Sequence, residues 1–147
     1  MTFVVPFDGA SRTKAALQRA ATIGDALDES VVAVSVIPMN DPTYARQRGW
    51  LGSDEPFDLE TVVRTLRERV HEIAPDATFE YERARRGASG NQIAKPIRKF
   101  AKRRDASMVF IGSENAGRLV TSQSSIGGRI ATDGNYDVVL VRDQYQQ

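Results

Sequence analysis

The chain has 147 residues, with 20 Lys and Arg against 19 Asp and Glu, one His and no Cys. A chain of this length buries roughly 68–70% of its unfolded surface as one domain without covalent staples. At 41% apolar and 27% charged residues, it is not collagen-like, a disulfide scaffold or a disordered tail. The net charge of +1 hides a segregation. Residues 83–104 hold nine basic side chains (Arg83, Arg85, Arg86, Lys95, Arg98, Lys99, Lys102, Arg103 and Arg104) and no acidic one, leaving 11 basic and 19 acidic residues elsewhere. The lack of Cys excludes disulfides, thiolate metal sites and a cysteine nucleophile.

Phe3-Val4-Val5 predicts a short first strand, stopped by Pro6 and the turn-prone Asp8-Gly9. Nothing charged precedes an apolar run there, so no signal peptide is expected. Ser11 is a candidate N-cap for a helix over 11–27, with Ala16, Ala20, Ile23 and Leu27 on one face. Residues 31–37 predict a second strand, free of charge as befits a strand covered on both faces. The longest mostly apolar stretch, 31–39, falls far short of the ~20 residues that span a bilayer, and a cytoplasmic location is the expectation. Residues 38–57 read as one long irregular loop, with Pro42, Pro56, Gly49, Gly52, Tyr44 and Trp50. Such a segment in a compact domain is a lid, a binding loop or a mobile stretch.

Asp58 can cap a helix in which Leu59, Val62, Val63, Leu66, Val70 and Ile73 recur at helical spacing. Over 78–83, Phe79 and Tyr81 alternate with Glu80 and Glu82, the pattern of an edge strand with one wet face. Residues 91–103 are helical through Ile93, Ala94, Ile97 and Phe100, with Pro96 an irregularity near the start. Residues 108–111 predict a fourth strand, 125–132 a short helix and 138–141 a last strand. Strands alternating with helices argue for a single-domain (residues 1–147), doubly wound α/β fold with a parallel five-stranded sheet.

Ligands in such sheets bind beyond the carboxyl ends of the strands, where strand order reverses. The segment after the fourth strand is the most suggestive. Gly112 and Gly117 free backbone amides for an anion, and Ser124-Ser125 opens a helix whose N-terminus favours negative charge. A plain Gly-Ser turn with a serine cap explains the same residues. Arg118-Leu119 replaces the Lys and hydroxyl residue of a Walker A loop, which excludes a P-loop NTPase. No G-x-G-x-x-G follows the first strand. Asp8 stands without a second acidic residue, and Arg83-Ala84-Arg85-Arg86 follows the third strand, which together exclude a phosphorylatable receiver domain. His71 lies on the polar side of its helix and is expected to be solvated. No Ser/His/Asp set or metal-spaced cluster nominates a catalytic residue, so no enzyme activity beyond weak ATP hydrolysis is expected.

Four segments together resemble the universal stress protein family over nearly the whole chain. They are Val4-Val5-Pro6-Phe7-Asp8-Gly9-Ala10-Ser11, Val34-Ser35-Val36-Ile37-Pro38, Met108-Val109-Phe110-Ile111-Gly112-Ser113 and Val138-Val139-Leu140-Val141-Arg142. The resemblance implies a flavodoxin-like, adenine-nucleotide-alpha-hydrolase-like sheet and a homodimer joined through the last strand, Asp137 to Arg142. ATP-binding members carry Gly-x2-Gly-x9-Gly-Ser/Thr after the fourth strand. Gly112 matches the first glycine, Asn115 stands at the second with Gly117 two residues late, and Ser124 and Ser125 take the last two positions. The interval from Gly112 to Ser124 is one residue short.

By that resemblance, Asp8 would lie near the ribose and metal, Pro6 and Val36 near the adenine, and the 112–125 loop around the phosphates. The implied cofactors are ATP or AMP with Mg. Asn115 and Ser124 put side chains where the pattern has none, and Glu114 adds negative charge that Arg118 can offset. The alternative is a nucleotide-free regulatory module, free-standing or the cytoplasmic part of a transporter, acting through its dimer surface and its basic helix.

At 100° per residue, Lys95, Arg98, Lys99, Lys102 and Arg103 fall within roughly a 140° arc. Glu60, Glu68 and Glu72 of the preceding helix are the expected counter-charges, on the assumption that both helices pack on one sheet face. The functional alternative is an anionic partner, a protein or an acidic membrane surface, at Lys95, Arg98, Lys99 and Lys102. Nucleic acid fits least, because no aromatic residue interrupts the basic face.

Overall fold

The computed structural model describes residues 1–112 and 136–142. In chain order the elements are β1 (Thr2–Pro6), α1 (Ser11–Leu27), β2 (Ser30–Pro38), α2 (Pro42–Gln47), α3 (Leu59–Ile73), β3 (Thr78–Ala84), α4 (Asn91–Arg103), β4 (Ala106–Gly112) and β5 (Asp137–Val141). The five strands form one sheet in the order β3-β2-β1-β4-β5. Every neighbouring pair is parallel. The chain builds outward from β1 to β3, then returns to β4 on the other side of β1. Strand order therefore reverses between β1 and β4.

That reversal also sorts the helices. Right-handed crossovers place a helix on one face when the sheet grows one way and on the other face when it grows back. Phe3, Val5 and Phe7 of the first strand and the turn after it pack with Ala16 and Leu17 of α1 and Val62, Leu66 and Val70 of α3. Val4, Val34, Val36, Val109 and Ile111 pack with Ile93, Ala94, Ile97 and Phe100 of α4 on the opposite face. The helices thus cover both faces, as the strand–helix alternation predicts. Phe3 and Phe110 meet at 5.2 Å between ring centroids, linking β1 to β4 beneath the switch point.

Several sequence expectations change at the level of packing. α3 and α4 do not share a sheet face, so Glu60, Glu68 and Glu72 are not the counter-charges of the basic helix. Glu82 and Glu80 of β3 take that role, pairing with Arg103 at 2.9 Å and with Arg104. The segment 38–57 is not structureless. Asp41 caps α2 by accepting the Tyr44 N–H at 3.1 Å, and Pro42 fills the first turn, where no N–H is missed. Leu27 is 56% exposed rather than on the buried stripe, which runs instead through Ala16, Ala20 and Gly24. Ser11 is the first helical residue, and Ala10 holds the N-cap position. α4 continues through Pro96 as one helix, whose ring leaves the Gln92 carbonyl without its usual N–H donor.

β2 is buried from Val31 to Pro38, as its uncharged run implies. β3 lies at the sheet edge, matching its alternation. Among the described residues no helix is long and apolar enough to cross a membrane.

Candidate functional site

The carboxyl ends of β1 and β4 carry Pro6, Asp8 and Gly112, side by side at the reversal of strand order. Asp8 lies two residues after the end of β1 and is half-buried. Its Oδ1 accepts the Ala10 N–H at 2.9 Å and the Thr13 hydroxyl at 2.8 Å. One carboxylate oxygen therefore closes the turn that leads into α1, near the positive end of its dipole, while Ala10 at the N-cap makes no side-chain cap bond. Oδ2 has no hydrogen-bond partner among the described residues. It is the oxygen through which Asp8 can meet a ligand hydroxyl or a cation.

Pro6 lies opposite Val34 in the sheet register, and Val36 extends β2 past the end of β1. Val36 is buried in the α4-side core, while Pro6 is half-buried. Gly112 is positioned by packing. A Cβ there would lie 2.9 Å from the backbone carbon and oxygen of Arg12, so the end of β4 touches the first turn of α1 where only hydrogen fits. Asn115, Gly117, Ser124 and Ser125 lie outside the described residues. Pro6, Asp8 and Gly112 are thus brought together, with Val36 one strand away.

The 38–57 segment supplies groups that sequence reasoning did not assign to this end of the sheet. Trp50 is 2% exposed, and its indole Nε1 donates to the Asp8 carbonyl at 2.8 Å. Its ring meets Tyr44 at 5.6 Å, and the Arg48 guanidinium lies 3.5 Å from the Tyr44 ring centroid. The Arg48 Nε is buried without a hydrogen-bond partner among the described residues. Burial pushes the Tyr44 phenol above its ordinary value; Arg48 pulls it down, and the nearby charges of Asp8 and Asp41 push it further up.

Two anchors hold this segment in place. Asp41 Oδ2 accepts the Gly87 N–H at 3.1 Å, and Arg69 of α3 donates to the Gly49 carbonyl at 2.6 Å. Gly9, at φ +88°, keeps the turn after β1 close under Arg69 and Trp50. The Asp41-Pro42 pair was the legible signal for α2, and a lone Trp in a polar stretch was the signal for burial.

Beneath the crevice, Ser35 of β2 is buried and donates to the Phe7 carbonyl at 2.5 Å. This fixes the backbone that presents Asp8. His71 is exposed, and its Nε2–H donates to the Ala77 carbonyl at 3.1 Å, a turn contact away from the crevice. Among the described residues no three His, Asp or Glu side chains gather to hold a metal ion. A divalent cation here would find Asp8 Oδ2 and its ligand's own oxygens. A hollow of about 590 Å3 lies at the other end of the sheet, lined by Asp25, Asp28, Glu29 and Asp76. It is remote from the strand-order reversal, and the crevice remains the better site.

The sequence matches the model of the universal stress protein family over residues 1–142. The chain belongs to the universal stress protein family. Solved structures with the same fold include a universal stress protein in complex with cAMP, 18% identical, covering 98% of each chain at a TM-score of 0.61. The universal stress protein of Archaeoglobus fulgidus in complex with dAMP is 18% identical over 95% of each chain, at a TM-score of 0.53. Universal stress protein UspA of Lactobacillus plantarum is 16% identical over 97% of each chain, at 0.61. No curated protein matches the sequence.

Proposed function

We propose that this universal stress protein is a small regulatory domain that binds an adenine nucleotide, ATP or AMP, in the crevice between the ends of β1 and β4. It acts by binding, with no reaction beyond slow ATP hydrolysis, and works in the cytoplasm. The observation that carries this reading is the placement of Asp8 at the strand-order reversal, with one carboxylate oxygen closing the turn into α1 and the other without a hydrogen-bond partner among the described residues, where it can meet a ribose hydroxyl or Mg. Family members solved with cAMP and dAMP support the adenine class. Titration calorimetry with ATP and Mg tests it. A saturable heat and a raised melting temperature are expected. No heat and no thermal shift at millimolar nucleotide would overturn it.

The protein works as a homodimer joined along β5. That strand is an open edge of the described sheet, and its Leu140 is 43% exposed, an apolar side chain suited to burial against a second copy. Sedimentation velocity at micromolar concentration reads the dimer directly.

One observation favours a nucleotide-free module as the second reading. Both the Asp8 carbonyl and its Oδ1 have structural partners, and Gly112 is accounted for by its contact with α1. Mass spectrometry of the protein as purified separates the two readings.

A further inference from the structure

The basic block that nucleotide binding leaves unused folds into a groove. β3, the turn after it and α4 enclose a hollow of about 420 Å3 lined by Arg83, Arg85, Lys95, Lys99 and Arg103. Its single carboxylate, Glu82, sits on Arg103 at 2.9 Å, so the groove already holds one carboxylate–guanidinium contact. Arg83, Arg85, Lys95 and Lys99 are exposed and have no ion-pair partner among the described residues. Like charges one helical turn apart repel, and an anion laid among them relieves that repulsion.

The shape and lining of the groove select the class of anion. Its lining includes short side chains, Ala84 and Ala88, with Pro96, which leaves room for a main chain. No aromatic residue lines it, so unstacked bases would find no platform. The exposed large apolar side chains among the described residues, Met1, Leu27 and Leu140, are not among its lining, so it offers nothing to insert into a bilayer. Lys95, Lys99 and Arg103 recur every fourth residue, about 6 Å apart along the helix. Alternate side chains of an extended chain recur at about 6.6 Å. The two spacings run in step over three positions.

We propose that the β3–α4 groove docks an extended acidic segment of a partner protein, with carboxylates at alternate positions meeting Lys95, Lys99 and Arg103, and a further acidic residue reaching Arg85. β3 is two strands removed from β1, so the surface is separate from the nucleotide crevice and stands whether or not nucleotide binds.

Fluorescence anisotropy with the full chain and a dye-labelled peptide of alternating Glu and Ala tests the proposal. Saturable binding at low ionic strength is expected, weakening with added salt, because exposed charges are screened. K95Q/K99Q should weaken it about tenfold, and R85Q should weaken it independently. R64Q/R67Q on α3, across the sheet, should leave it unchanged. Circular dichroism melts of the four proteins should coincide, since the substituted side chains are exposed. Equal affinity for K95Q/K99Q, no saturable binding, or tighter binding to phosphatidylserine vesicles or a single-stranded oligonucleotide would each overturn it.

Discussion

The indole of Trp50 donates a 2.8 Å hydrogen bond to the carbonyl of Asp8, 42 positions earlier in the chain. This contact ties the segment after β2 to the turn after β1, and so sets the backbone of the crevice. Removing the donor while keeping an aromatic ring leaves a carbonyl short of its partner. Trp50→Phe should cost about 1–3 kcal/mol, and Trp50→Ala about 3–5 kcal/mol, read from urea unfolding curves. A Trp50→Ala variant as stable as the wild type would show that this segment does not anchor the crevice.

Asp8 has a turn-closing role and a proposed binding role, which two substitutions separate. Asp8→Ala removes the acceptor for Ala10 and Thr13 and should cost about 0.5–1.5 kcal/mol. Asp8→Asn keeps an acceptor at that position and should stay near wild-type stability while weakening ATP–Mg affinity. Calorimetry and thermal melts of the pair measure both effects. Unchanged ATP affinity in Asp8→Asn would remove Asp8 from the nucleotide site.

At Gly112 the cost is steric. Gly112→Ala places a carbon 2.9 Å from the Arg12 backbone, and overpacking of this kind costs about 1–3 kcal/mol. The loss should appear without nucleotide, in a chemical melt of the nucleotide-free protein. Wild-type stability in that variant would mean that β4 and α1 separate readily.

Tyr44 imposes an alkaline limit. Burial raises its folded-state value above the ordinary 10.0, so the unfolded chain releases the phenolic proton first as pH rises. The stabilisation is therefore complete below pH 10 and is lost as pH climbs from there through the raised folded value. Tyr44→Phe should lack this component of the alkaline decline, which melting temperatures recorded across that range would reveal. Identical pH profiles would place the phenol in solvent.

The two ion pairs between β3 and α4 are partly exposed, and such pairs contribute about 0–1 kcal/mol. Glu80→Gln with Glu82→Gln should therefore lower stability only slightly at low salt, and less at high salt. In the acidic-peptide titration the same variant should bind more tightly, because Glu82 no longer competes for Arg103.

Much of this protein was legible as linear pattern. The uncharged run of β2, the alternation in β3 and the spacing of Val62, Leu66 and Val70 report burial on one face or two, which is a local property of the chain. The α/β order followed from them, and the family followed from the residues after each strand. Which helices share a face was not local. It follows from the growth of the sheet away from β1 and back again, and this moved the counter-charges of α4 from Glu60, Glu68 and Glu72 to Glu80 and Glu82.

The crevice divides in the same way. Asp8 was recognisable because it follows a strand, but its bonds to Ala10 and Thr13, which close the turn into α1, appear only in the folded chain. Gly112 was recognisable as a glycine near a crevice; only the approach of Arg12 shows why it is one. Trp50 and Arg48 belong to the site because a segment with no apolar period folds back over β1. Sequence determined the strands, the edge and the segregated charge, since each depends on neighbours along the chain. Tertiary structure decided the partners, since hydrogen bonds and steric contacts depend on which distant segments the crossovers bring together.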